Sequence, residues 1–281
     1  MSSANDAACN RTWLSQRLIS HPALAPYDHL LQQLPADHFP TAADLQKLLP
    51  DACRNTRGQP IQLVSSESLG EMSGDGAYEQ QIARRGRVST RPGSLHDLCN
   101  ALVWARFPRL KATLNQRHIE SLSQSKPGRR GPVRDALTLF DECGMAVCST
   151  DAAPLKALAA HDWNRLFGAQ GERWPASVSL WMIGHGNLEQ LDQPYPGLIA
   201  QCLLLQTRET ISDVTALDEL LAVLWRQAEG PSSPADLCAF PFAGVPGWWH
   251  ARQDHGFYAN QEVFRPPRPG RSSPPVWSVT S

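Results

Sequence analysis

The chain has 281 residues, 42% of them hydrophobic, and a formal net charge of −1, which suits one large domain or two small ones around a packed core. Its most apolar run, Leu198 to Leu205, is broken by Gln201 and is too short to span a bilayer. The opening Met-Ser-Ser-Ala-Asn-Asp lacks the basic and apolar regions of a secretion signal, and seven cysteines without a Cys-x-x-Cys pair make no disulfide framework, so a soluble cytoplasmic protein with reduced thiols is expected.

Residues 1–60 read as short helices separated by prolines, a helical N-terminal extension packed on a main domain at 61–264. Thr41 is a helix cap before Leu45, Leu48 and Leu49, and Pro50 ends that helix. Ile61 to Val64 is a short β-like run, Gly70 to Gly76 a loop, and Tyr78 to Arg85 a helix stopped by Gly86. Here the charge changes. Residues 1–83 hold 5 basic and 9 acidic side chains, residues 84–134 hold 12 and 2, and residues 135–281 hold 9 and 16. A block of net +10 inside an acidic protein favours anions, unless it pairs with the acidic remainder.

Two helices carry that block. Ser94-Leu95-His96-Asp97 has the form of a capping box, followed by Leu95, Leu98, Cys99, Leu102 and Ala105 at helical spacing. Pro108 suits the first turn of the next helix, which buries Leu110, Leu114 and Leu122 and carries Lys111, Asn115 and His118 on another face. Lys126 to Arg134 is a basic Pro/Gly loop. Residues 135–140 fit either a helix or a strand, Glu142-Cys143-Gly144 a turn, and Met145 to Cys148 a strand. Asp151 to Leu166 is helical with a break at His161-Asp162. Ser179 to Ile183 is a strand ended by Gly184, Asn187 to Leu191 a helical turn, and Ile199 to Gln206 a buried element of either type. Ser212 or Asp213 caps an amphipathic helix through Leu217, Leu220, Leu221 and Leu224, closed by Gly230. Beyond Pro231 the chain is loop-like, with Trp248 and Trp249 covering the core, and residues 265–281 form a proline-rich tail expected to be disordered. The sum is α+β: a helix-dominated single domain with a small sheet and a long proline-rich C-terminal segment.

Several stretches in fixed order carry a family resemblance. They are Thr90-Arg91, then His96-Asp97-Leu98-Cys99-Asn100-Ala101-Leu102-Val103-Trp104, Phe107-Pro108-Arg109, Lys111 and Leu114-Asn115. Arg134-Asp135-Ala136-Leu137-Thr138-Leu139-Phe140-Asp141-Glu142 and Gly144 follow, then Gly184-His185 with Glu189, Gly244-Val245-Pro246-Gly247-Trp248 and Phe264-Arg265-Pro266. From about Ile61 to Pro266 the set resembles a bacterial family known as domain of unknown function 3025. Cys99 stands where an aromatic is expected, and Gly186-Asn187 where small apolar residues are. The resemblance implies a single domain; it implies no activity and transfers no catalytic residue.

The residues themselves offer four candidate groups. His96 and Asn100 lie one helical turn apart and can reach one ligand together. The His96-Asp97 pair invites comparison with metal phosphohydrolases of the His-Asp type, but no helix upstream offers the additional histidine that a full ligand set needs. His185 and Glu189, four apart, share a helix face and suit a metal or a base with its orienter. Gly184 and Gly186 beside them permit close backbone approach. Arg134, Asp135, Asp141 and Glu142 form a charged cluster, and Gly128 to Gly131, with Arg129 and Arg130, has the makings of a phosphate clamp without being a P-loop. Together they suggest a polar pocket for an anionic, phosphate-bearing ligand. Arg91, Lys111, Asn115, Arg130 and Arg134 would bind it, and His96, Asn100, Asp141, Glu142, His185 and Glu189 would carry the chemistry, extending to hydrolysis. A divalent metal is the cofactor these ligand types suit. The competing readings are a nucleic-acid binder using the basic block and a protein-interaction module anchored by Trp248-Trp249; no membrane role is expected.

Overall fold

The computed structural model describes residues 13–69, 74–124, 131–169, 171–270 and 272–279. The N-terminal part holds three short helices, α1 (Gln16–Ile19), α2 (Asp28–Leu31) and α3 (Ala42–Gln46). Thr41 caps α3 as its sequence predicts. Its hydroxyl accepts from Asp44 N at 3.3 Å while Asp44 Oδ2 accepts from Thr41 N at 3.1 Å. This region is tied to the rest of the molecule by polar contacts: Tyr27 Oη donates to the Met182 carbonyl at 2.7 Å, and His21 Nε2 lies 3.0 Å from the Trp248 carbonyl.

A parallel pair, β1 (Gln62–Ser65) and β2 (Arg87–Thr90), is joined through helix α4 (Ala77–Arg85). Gly86 ends α4 in the left-handed region at φ 65°, where a Cβ would also strike the Pro60 carbonyl. Helices α5 (Leu95–Arg106), α6 (Pro108–Gln124) and α7 (Pro132–Cys143) follow, and α7 runs directly into strand β3 (Gly144–Ser149). The ambiguous stretch at 135–140 is therefore helical. Pro132 to Arg134 is the first turn of that helix rather than the end of a loop, and Glu142-Cys143 is its last turn rather than a separate turn. The Arg129-Arg130 pair lies outside the described residues.

After α8 (Ala152–Ala159) and α9 (Trp163–Phe167), separated at His161 with its positive φ of 53°, come β4 (Val178–Met182), α10 (His185–Gln190), β5 (Ile199–Gln206) and α11 (Val214–Arg226). Asp213 caps α11 through Thr215 N and Ala216 N, and the helix ends at Arg226, ahead of Gly230. Strand β6 (Cys238–Pro241), helix α12 (His255–Tyr258) and strand β7 (Val276–Ser278) complete the fold. The larger sheet has the order β4-β3-β5-β6, with β3 and β5 parallel and the other pairs antiparallel; β7 joins β5 in parallel, Leu204 opposite Val276. The segment expected to be a disordered tail thus ends in an edge strand. Proline density at 266–275 hides it, because the three pairing residues are too few to show a period.

The chain is α+β and dominated by helices, with one continuous apolar core. β3 is buried along its whole length, lying between β4 and β5 with α7 and α8 in contact with it. Among the described residues no helix is long and apolar enough to cross a membrane. Six cysteines are described and none is disulfide-bonded.

Candidate functional site

Several cations of the basic block are paired, most of them from elsewhere in the chain. Arg134 forms a two-pronged bridge to Asp75 at 2.6 and 2.8 Å, Lys111 Nζ meets Asp141 Oδ1 at 2.5 Å, and Arg109 meets Glu219 at 3.3 Å. Arg117 donates to the Trp225 carbonyl at 2.6 Å. Arg91 grips Asp97 through Nε at 2.9 Å, Nη2 at 2.8 Å and its backbone N–H at 2.7 Å. That grip corrects the expected capping box. Ser94 Oγ accepts from Asp97 N at 3.2 Å, but the Asp97 carboxylate turns to Arg91 instead of reaching back to the cap. Burial opposes ionisation of Asp97, and the Arg91 contacts outweigh it, holding the carboxyl below its usual range.

Beside these pairs lies a cavity of about 300 Å³ whose walls include Tyr78, Glu79, Arg91, His96, Asn100, Asp141, Glu142 and His185. Three elements deliver its central groups. α5 supplies His96 from its first turn, α7 supplies Asp141 and Glu142 from its last, and α10 supplies His185 and Glu189. The i, i+4 pair on α10 brackets the His96 ring. Glu189 Oε2 lies 2.9 Å from His96 Nδ1, and His185 Nε2 lies 3.1 Å from His96 Nε2. Glu142 Oε1 stands 3.5 Å from His185 Nε2 and 4.0 Å from His96 Nε2.

The glycines make this approach possible. A Cβ on Gly184 would collide with the backbone of Cys143 and Gly144, and a Cβ on Gly186 would sit 2.6 Å from Glu142 Oε2. The Gly184 N–H donates to the Gly144 carbonyl at 2.7 Å, which seats the start of α10 against the end of α7. Buried Asn187 fixes the same corner, donating to the Ile199 carbonyl at 3.1 Å.

Behind the histidines the site is polar and closed. Lys111, Asn115 and His118, expected on one face of α6, are all buried, and that face turns toward Glu79 and Asp141. Asn115 donates to the Glu79 carbonyl at 3.0 Å and to its carboxylate Oε2, while Asn100 donates to Tyr78 Oη at 3.0 Å. Burial resists the charge on Asp141, yet the Lys111 ammonium prevails and keeps this carboxyl low. Burial lowers the His185 imidazole to about 4, so it is neutral at pH 7. Burial raises both Glu142 and Glu79, the latter to about 7 against the opposing Asn115 hydrogen bond. The cavity thus joins a neutral histidine to carboxyls whose hold on protons burial strengthens, an arrangement suited to proton transfer.

All six residues proposed for chemistry therefore meet at one place: His96, Asn100, Asp141, Glu142 and His185 line the cavity, and Glu189 holds His96 from behind. Of the ligand-binding set, Arg91 lines the cavity. Lys111 and Asn115 lie in the layer beneath it, Arg134 is engaged with Asp75, and Arg130 is outside the described residues. Sequence reasoning missed Tyr78 and Glu79. They open an ordinary polar helix, and only the tertiary approach of α6 marks them.

Glu79 gives a direct pH test. Its folded pKa is raised, so the stability it contributes is present below its unfolded pKa and is lost as pH rises through about 7. Replacing Glu79 with Gln keeps an acceptor for Asn115 and removes the ionisation. Urea denaturation is expected to give Glu79→Gln a gain over wild type about 2 kcal/mol larger at pH 8 than at pH 4.5. A gain of equal size at both pH values contradicts the burial of this carboxyl.

A family model described as "Protein of unknown function (DUF3025)" matches residues 61–268. No curated protein and no solved structure matches the chain.

Proposed function

The chain belongs to the DUF3025 family, whose description names no activity, and from the cavity we propose that this member is a hydrolase of small anionic, phosphate-bearing substrates. The observation that carries this reading is the convergence of His96, His185 and Glu142 from three helices, with Glu189 orienting His96. Activation of water in hydrolysis needs a basic group held by a second group, beside a carboxyl that exchanges protons. Glu189 Oε2 and His96 Nδ1 supply that orientation at 2.9 Å, and Glu142 stands on the open side of both rings.

Arg91 is the group for the substrate's anion. Its side chain lines the cavity while remaining 61% exposed, and Asp97 fixes the guanidinium plane. Arg134 and Lys111 do not serve this role, since their side chains are buried, 8% and 5% exposed, against Asp75 and Asp141. The same pairing takes Arg109, Lys111, Arg117 and Arg134 out of the free cations that a salt-sensitive nucleic-acid interface needs along a surface. The Trp248 ring packs on Phe242 at 4.7 Å and on His21 at 5.6 Å, which favours a covering role over that of an interaction anchor.

The test is turnover of a panel of nitrophenyl phosphate monoesters and diesters. His96→Ala is expected to lower kcat/KM at least 100-fold, as loss of acid–base catalysis does. Arg91→Ala is expected to act mainly on KM. If no ester in the panel is hydrolysed by the wild-type protein, or if His96→Ala leaves turnover intact, the hydrolytic reading is lost.

A further inference from the structure

His96 Nδ1 faces the Glu189 carboxylate at 2.9 Å, which leaves Nε2 directed at His185 Nε2, 3.1 Å away. On the far side of its own ring, His185 Nδ1 is buried and lies 3.8 Å from Asp141 Oδ2. With both far nitrogens turned to carboxylates, the two Nε2 atoms and Glu142 Oε1 converge on one point, as the ligands of a cation do.

We propose that His96 Nε2, His185 Nε2 and Glu142 form a binding site for a divalent transition-metal ion of the zinc class. This rests on the cavity being the functional site, and it adds the cation that the hydrolytic reading lacks. One ligand atom from each of the three residues lies within 4.8 Å of the others. Two nitrogens bound at about 2.0–2.1 Å to a tetrahedral ion stand roughly 3.3 Å apart. The observed 3.1 Å needs only a small opening of the pair. Both histidines have a carboxylate behind the far nitrogen, Glu189 for His96 and Asp141 for His185, which is the outer-shell pattern that orients metal-ligating imidazoles. Two imidazoles and one carboxylate suit zinc, cobalt or iron(II) and not magnesium or calcium, which demand oxygen. Three protein ligands leave positions for water and substrate, and such an ion makes bound water acidic enough to attack near neutral pH. With Asp97 and Asp141 already met by Arg91 and Lys111, the ion adds positive charge that draws a phosphate alongside Arg91.

The experiment needs no substrate. Full-length protein is stripped with dipicolinate, desalted, and titrated with Zn²⁺ against a chromophoric chelator. One equivalent is expected to bind with a Kd below about 1 μM, unaffected by excess Mg²⁺, and Co²⁺ is expected to give a visible ligand-field spectrum. His96→Ala and His185→Ala should each weaken Zn²⁺ binding at least 100-fold, and Glu189→Gln by about 10–100-fold through the outer shell. Far-UV circular dichroism checks that the variants fold; if they do not, the wild-type stoichiometry and the Co²⁺ spectrum decide. The proposal is overturned if wild-type protein binds no equivalent this tightly, or if the His96→Ala/His185→Ala double variant folds and still binds one unchanged. Tight binding with no ester turnover retains the metal site and removes the hydrolase; undiminished turnover by stripped protein does the reverse.

Discussion

Replacing Lys111 with methionine is expected to cost roughly 3–5 kcal/mol, the range for removing one partner of a buried ion pair. The Lys111 side chain is 5% exposed, its ammonium meets Asp141 Oδ1 at 2.5 Å, and it stands 5.6 Å above the Trp104 ring. Methionine preserves most of the apolar stem but leaves the Asp141 carboxylate without the charge that keeps it ionised. The carboxyl then takes up a proton, so its pKa moves from below the usual range to above it. The stability that Asp141 contributes in wild type is present above its unfolded pKa and lost as pH falls through its depressed folded value. Lys111→Met therefore removes stability chiefly at neutral and higher pH. The double variant Lys111→Met/Asp141→Asn is expected to recover much of the loss, because no unpaired charge remains. Urea unfolding at pH 7.5 checks both. A single variant within 1 kcal/mol of wild type, or a double variant as unstable as the sum of the singles, would falsify this account of the pair.

Replacing Asp218 with alanine is the second large effect, about 3 kcal/mol. Asp218 belongs to α11, is buried, and accepts from Arg109 N at 3.0 Å and Leu110 N at 2.8 Å. These are N–H groups of the first turn of α6, where Pro108 has none to offer. One helix thus caps another through a single carboxyl, and α6 has no cap of its own recorded in the sequence. Alanine leaves a buried donor, Leu110 N–H, and a part-buried one, Arg109 N–H, without their acceptor at a helix end, the buried one costing about 1–3 kcal/mol. Burial pushes the Asp218 carboxyl up to about 6 against those same donors, so an uncharged acceptor suffices in this place. Asp218→Asn is accordingly expected to lose less than half as much as Asp218→Ala. Thermal unfolding distinguishes them, and equal losses would mean that Asp218 contributes by shape and not by accepting hydrogen bonds.

Much of the architecture was legible wherever local chemistry decides it. Thr41, Pro108, Gly86 and Asp213 mark helix ends by their own conformational preferences, and the leucines of α5 and α11 mark buried stripes. The site was half legible. The i, i+4 spacing of His185 and Glu189 and the glycines around them signalled a close approach, but no local feature says that a histidine some ninety positions earlier fills the space between. The basic block was the least legible. Arg109, Arg117 and Arg134 look unpaired in it because their acceptors, Glu219, the Trp225 carbonyl and Asp75, lie far along the chain. Glu142 was read into a turn because Gly144 follows it. In the fold that glycine starts a strand, where a Cβ would strike the Phe140 side chain and carbonyl.

The histidine pair spans 89 residues of sequence and the His96–Glu189 contact spans 93. An unfolded chain scatters these groups over tens of ångströms, so whatever the cavity holds binds the native state and not the denatured one. Occupancy and folding are then one equilibrium seen from two sides. At a ligand concentration of 100 Kd, mass action adds about 2.7 kcal/mol to the stability of the whole molecule. The melting temperature becomes a gauge of what fills the site, and any substitution that loosens the seat of α10 on α7 registers twice, once as weaker binding and once as a less durable fold.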